Sequence, residues 1–206
     1  STSSNMNMAP GENTITFTIE NEGNFEDTFT ISSTSLNGWF SDVDPVTVAF
    51  EGTSDFDVTV TVPHVAAGIM DIWSVSAVAA NDDTVDDSAS GTVVVDTVTG
   101  HDLTGDTDLS GNPGDTVTYH FTILNTGNAQ EKMDYTVSSS WEVSTPGGST
   151  TLDMGASDTI SVTQTIPANA DAGASASVTF NVINGDGSSA VVLSLIHISE
   201  PTRLRH

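Results

Sequence analysis

Apolar residues recur at every second position in short runs along this chain. Ile15, Phe17 and Ile19 alternate with threonines, and Tyr119, Phe121 and Ile123 alternate with Thr118, His120, Thr122 and Leu124. Successive side chains of an extended segment point to opposite faces, so each run predicts a strand with one buried face. Phe56, Val58, Val60 and Val62 repeat the pattern, Ile160, Val162 and Ile166 follow it except at Gln164, and Trp73 falls in phase with Val75 and Ala77. No helical period of useful length competes. Short strands punctuated by Gly, Asn, Asp and Pro, in units of about 100 residues, predict sandwiches of about seven strands.

The same order of features occurs twice. Thr14-Ile-Thr-Phe-Thr-Ile-Glu-Asn-Glu-Gly-Asn24 lies beside Thr118-Tyr-His-Phe-Thr-Ile-Leu-Asn-Thr-Gly-Asn128, with Asn21, Gly23 and Asn24 matching Asn125, Gly127 and Asn128 at an offset of 104. Phe29-Thr-Ile then pairs with Tyr135-Thr-Val, Trp39 with Trp141, Gly52-Thr-Ser-Asp with Gly155-Ala-Ser-Asp and Pro63 with Pro167, at offsets that drift as loops would. The Asn-x-Gly-Asn pairs read as turns, where Gly accepts a positive φ and Asn bonds locally. The strand around His101 to Thr107 that opens the second copy has its counterpart mostly ahead of Ser1, so the first copy is expected to lack its first strand. The second is expected to lack its last beyond Val192.

Feature order carries a resemblance. Pro113-Gly-Asp, Asn125-Thr-Gly-Asn, Tyr135-Thr-Val, Trp141, Gly155-x-Ser and Ile166-Pro-x-x-Ala-x-Ala-Gly173 resemble the immunoglobulin-like domains associated with prokaryotic α-galactosidases and the CARDB-like cell-adhesion repeats. The resemblance implies an all-β chain of two tandem immunoglobulin-like β-sandwiches, 1–96 and 97–192; the shortness of the linker near Asp96 to Gly100 predicts a semi-rigid rod. The resemblance also implies a spacer or adhesive role and transfers no catalytic residue. A second resemblance covers Leu193 to Arg203, which is similar to a sequencing adapter translated in frame, so 193–206 is read as a non-native tail.

Charge then changes the picture of the surroundings. The chain has 28 acidic residues against three Lys and Arg, a net charge of −25. Setting aside Glu200, Arg203 and Arg205 with the tail leaves 27 acids against Lys132 alone, a net −26. Such a surface repels polyanions, which excludes nucleic acid as a partner. The acids are scattered between alternating β-branched residues, as on a folded surface that salt must screen. This predicts a salt-adapted prokaryotic source, and the resemblance to the immunoglobulin-like repeats implies an extracellular or cell-surface location. Neither a stretch of 18 apolar residues nor a cysteine occurs, so no membrane span, disulfide or thiolate chemistry is expected.

Candidate chemistry is thin. His64, His101 and His120 sit in no motif with a nucleophile, so no enzyme is expected. Asp106-Thr-Asp108-Leu-Ser110-Gly111 places oxygen side chains at alternate positions before a glycine, as calcium loops do. The match is partial, because the twelfth position is Val117 and the nearest acid is Asp115. Asp106, Asp108, Ser110 and Asp115 are thus candidate calcium ligands, weighed against a solvated turn. Asp82, Asp83, Asp86 and Asp87 form a hydrated acidic loop. Trp39 and Trp141 are read as core rings; exposed, they would make a sugar-stacking platform, and the chain a carbohydrate-binding accessory domain of a secreted hydrolase. The partners left open are neighbouring domains of the same polypeptide and a cell-envelope glycan or protein.

Overall fold

The computed structural model describes residues 2–198, and all its regular elements are strands. The chain forms two compact units, 1–98 and 99–206, each an immunoglobulin-like β-sandwich. In the first, β1 (Thr2–Met8), β2 (Gly11–Glu20), β3 (Asp27–Ser35), β4 (Val46–Val48), β5 (Thr53–Val62), β6 (Met70–Ala79) and β7 (Asp86–Val95) follow in order. One sheet has the order β1-β7-β6-β3-β4 and the facing sheet is the pair β2-β5. Only β1 runs parallel to its neighbour, β7, and the other pairs are antiparallel. The core fills the space between the sheets with Ile31, Trp39, Val58, Val60, Trp73 and Val93.

The second unit contains β8 (His101–Gly105), β9 (Asp108–Gly111), β10 (Thr116–Asn125), β11 (Glu131–Ser139), β12 (Gly147–Leu152), β13 (Ser157–Thr165), β14 (Ser175–Ile183) and β15 (Ser189–Ile198). Its sheets are β12-β11-β14-β15-β9 and β13-β10-β8. The first reproduces the large sheet of unit 1, with β9 parallel to β15 as β1 is to β7. The second has an extra strand, β8, on the edge of β10.

The ladders correct the register read from sequence. Ile19 faces Ser54 and Ile123 faces Asp158, while Asp27 faces Val48 and Glu131 faces Leu152. A constant offset of 104 therefore relates β2, β3, β4 and β5 to β10, β11, β12 and β13. Phe29 corresponds to Met133, not Tyr135, and Gly52 to Ala156, not Gly155. The two tryptophans also separate: Thr61 N–H donates to Trp39 O and Thr165 N–H to Glu142 O, so Trp39 corresponds to Glu142. That slip explains why Trp39 is buried and Trp141 only half-buried.

Glu51 takes the place of Gly155 in its turn, and both are left-handed, at φ 51° and 72°. A Cβ in this region crowds the following carbonyl, so Glu51→Gly should stabilise unit 1 by about 1 kcal/mol, read as a higher denaturation midpoint. An unchanged or lower midpoint would mean that the Glu51 side chain compensates.

Gln164, the polar residue that interrupts the apolar alternation of its strand, keeps its inward place and is fully buried. Its Oε1 accepts from the Tyr119 hydroxyl at 3.2 Å and its Nε2 donates to Ser139 Oγ at 2.5 Å, so no polar atom is stranded. Residues 193–198 complete β15: Leu193 and Leu195 are exposed, and Ser194, Ile196 and Ile198 are buried. The rest of the stretch read as a non-native tail, 199–206, lies outside the described residues.

Candidate functional site

The aspartates of the calcium-like segment are set by the step from β8 to β9, where the chain passes from one sheet to the other. Asp106 follows β8, and its Oδ2 accepts from the His120 backbone N–H at 2.9 Å and lies 3.2 Å from His120 Nδ1 on β10. Asp108 opens β9 and lies 3.3 Å from His197 Nε2 on β15. Asp115 closes its own turn, accepting from Asn112 N–H at 2.9 Å and Asn112 Nδ2 at 3.0 Å. Ser110 is exposed on β9. The three carboxylates thus face three different elements and are not brought together. Among the described residues, no group of three His, Cys, Asp or Glu side chains is placed to hold a metal ion.

The histidines and the acidic loop are equally dispersed. His120 is on the solvent face of β10 and His64 in an exposed loop. Asp82 accepts from both the hydroxyl and the N–H of Thr84, which hold its carboxyl below the usual range. Trp39 and Trp73 are 8% and 2% exposed, so neither offers a ring face to a sugar. Trp141 packs half-buried against the second core.

Sequence reading missed a polar end to the second core. His101 opens β8, Glu131 opens β11 and Asn184 follows β14. Both ring nitrogens of His101, Glu131 Oε1 and Asn184 Nδ2 are buried without a hydrogen-bond partner. Comparison of the units gives a reason for Glu131. In unit 1, Asp27 Oδ1 accepts from Asn81 Nδ2 at 2.7 Å. In unit 2, β14 ends at Ile183 and the turn from Asn184 to Ser188 follows; Glu131 Oε1 meets no such amide, while its Oε2 accepts from Gly100 N–H at 3.4 Å. Asp186, in that turn, accepts from the Thr99 hydroxyl, with further help from Ser188 N–H and hydroxyl and from the charge of His101, and its pKa falls to about 2. No single residue signals this arrangement, because it arises from pairing across strands.

Among the described residues, unit 1 has at least two open grooves. One, of about 450 Å³, lies beside exposed Leu36 and Ile72 on the outer side of the large sheet. Another, of about 290 Å³, runs along β2 and is lined by Phe17, Ile19, Phe56, Val75, Ala77 and Ala89 among others.

No protein-family model matches the chain, and no curated protein matches it. Among solved structures it is similar to a protein of unknown function from Porphyromonas gingivalis W83, with 12% identity, a TM-score of 0.33 and coverage of 93% of this chain and 94% of that one. It is also similar to titin domains z1z2 solved in complex with telethonin (13% identity, TM-score 0.33, 95% and 92% coverage). The class 5 fimbriae chaperone CfaA is a third likeness (10% identity, TM-score 0.34, 91% and 94% coverage). At these identities the likeness concerns the fold alone.

Proposed function

We propose that this chain is a non-catalytic structural and adhesive spacer of a larger secreted or cell-surface protein, in which serial sandwiches hold other domains apart. One observation carries the reading: the detail built identically in both units is a scaffold clasp. Asn21 Nδ2 donates to Phe25 O at 2.9 Å and Val48 O at 3.0 Å, and its Oδ1 accepts from Gly23 N–H at 2.9 Å. Asn125 makes the same bonds to Ala129 O at 2.8 Å, Leu152 O at 2.9 Å and Gly127 N–H at 2.8 Å. Side chains with chemical potential, by contrast, differ between the copies and point to separate elements. Neighbouring domains of the same polypeptide are then the first partners.

Pulling the chain from its ends tests the spacer role. A spacer should give two separate unfolding events, each releasing roughly 300 Å, since an extended chain spans about 3.3 to 3.6 Å per residue. Collapse at negligible force in one unresolved step, or saturable binding of an oligosaccharide, would overturn it.

The setting proposed for this spacer is the surface of a salt-adapted prokaryote. With a net charge of −25, self-repulsion opposes compaction until salt shortens the Debye length from about 10 Å at 0.1 M to about 3 Å at 1 M. The melting temperature should rise steadily between those salt concentrations. A flat or falling series in NaCl rejects the adaptation.

A further inference from the structure

The acids of unit 1 are unevenly placed. On the small sheet, Glu12, Glu20, Asp55 and Asp57 all stand outward and exposed. The outer face of the large sheet is different. Every second residue from Thr28 to Thr34 on β3, from Met70 to Val78 on β6 and from Ser88 to Val94 on β7 points away from the core, and none of them is charged. The first charge met along β7 on this face is Asp86, where the strand begins. In a chain of net charge −25, three adjacent strands without such an acid form a surface that a second acidic molecule can approach with little repulsion.

The same face of unit 2 shows that the fold does not require this. Ser35 lies opposite Trp73 and Ser139 opposite Val178, so Met70 and Ile72 of β6 correspond to Ser175 and Ser177 of β14. Lys132 and Asp134 hold the outward positions of Thr28 and Thr30. Unit 1 thus has hydroxyls where unit 2 has charges, and apolar side chains where it has serines. Met70, Ile72 and Leu36 are 59%, 61% and 73% exposed, and apolar surface gathered in this way gains free energy when it is covered. Leu36 and Ile72 stand beside the 450 Å³ groove, which Thr34, Ser74 and Ser90 also line. A projection next to a hollow suits a two-fold pair, in which each copy offers the other the same patch.

We propose that the outer face of the large sheet of unit 1 is a pairing surface for a second copy of this chain, sheet face against sheet face about a two-fold axis, with Leu36 and Ile72 of each copy seated in the groove of the other. Charge selects the occupant. Two copies meet where neither presents an acid, whereas a basic partner finds its counter-charges on the small sheet and the loops instead. Size sets the strength. With β1 beside them, these strands make a face four strands wide at about 4.8 Å each and about 30 Å long, roughly 600 Å² per copy, at the lower end of specific interfaces, so the pair is reversible. The surface goes beyond the spacer reading and does not rest on it, since a spacer separates domains along its own chain whether it stands singly or in pairs.

Sedimentation of the full chain tests the pairing. At about 1 M NaCl, where the acids elsewhere are screened, the mean mass should climb from monomer toward dimer between roughly 10 μM and 1 mM, with less dimer at about 0.1 M. Ile72→Asp should weaken the pair at least roughly tenfold by setting two carboxylates into it, while Thr14→Asp, which adds the same charge to the small sheet, should leave it unchanged. Ile72→Ser, the residue unit 2 carries, should weaken it too and cannot disturb the fold through added charge. The unfolding midpoint of unit 1 checks that each variant is intact. A monomer at every concentration up to about 1 mM overturns the proposal, as does a dimer that both Ile72 variants leave intact, since it pairs through another surface.

Discussion

Replacing Phe121 by alanine should remove about 3 to 5 kcal/mol from unit 2, while Phe17→Ala, at the same ladder position of unit 1, should cost roughly 1 to 2. Phe121 is wholly buried, its ring stacked on Phe180 with centroids 4.4 Å apart and flanked by Tyr119 at 6.1 Å. Truncation leaves a cavity bounded by rigid rings that cannot collapse into it. Phe17 stacks on Phe56 at 5.5 Å and meets Trp73 edge-on, but its other side faces the open groove. Truncation there enlarges a space that water already reaches. Hydrogen exchange of the β13 and β5 amides measures each unit separately, which matters because a two-unit chain need not unfold in a single transition. Equal losses in the two variants would show that the open edge has no energetic consequence.

Asn125→Asp should cost about 3 kcal/mol or more, because it breaks a buried clasp at both ends. The amide Nδ2 of Asn125 donates to Ala129 O and Leu152 O, tying the loop after β10 to the end of β12. A carboxylate in its place has no proton to donate and sets negative oxygen against two carbonyls, at a residue with no solvent exposure. Acid should restore part of the loss, since a protonated carboxyl recovers one donor. This pH dependence separates the hydrogen-bond account from simple loss of packing. Urea unfolding at neutral and acid pH reads it, and a loss below about 1 kcal/mol would show that the clasp is incidental. Asn21→Asp should have the same effect in unit 1.

Much of this fold is legible in the order of residues, for reasons that particular strands make plain. The inward phase of Ile15, Phe17 and Ile19, of Phe56 to Val62 and of Trp73 to Ala77 follows from a period of two and the need to bury one face. The Asn-x-Gly-Asn turns are legible because an asparagine side chain can bond its own loop, as Asn21 and Asn125 do, but neither Gly23 nor Gly127 takes the positive φ expected of it from sequence. The candidate site was harder to read. Asp106, Asp108 and Asp115 are close in sequence, but the β8 to β9 step sends the first two toward opposite sheets. Sequence spacing fixes distance along the chain and not the element each side chain meets. The polar end formed by His101, Glu131 and Asn184 draws on three distant segments, so no local motif announces it.

By itself, then, the sequence determined the strand class, the duplication, the identity of the inward-facing residues and the acidity of the surface. These depend on parity, composition and repetition, which are properties of one dimension. Only the tertiary structure decided register and edges. Parity is unchanged when two strands slide by two residues, so it could not distinguish Met133 from Tyr135 as the counterpart of Phe29. In the loops, where no alternation exists to follow, it could not prevent the slips by one at Gly155 and Trp141. The hydrogen-bond ladders remove both ambiguities because each backbone N–H has one partner. They also show that, among the described residues, β10 has a neighbour on each side and β2 on one side.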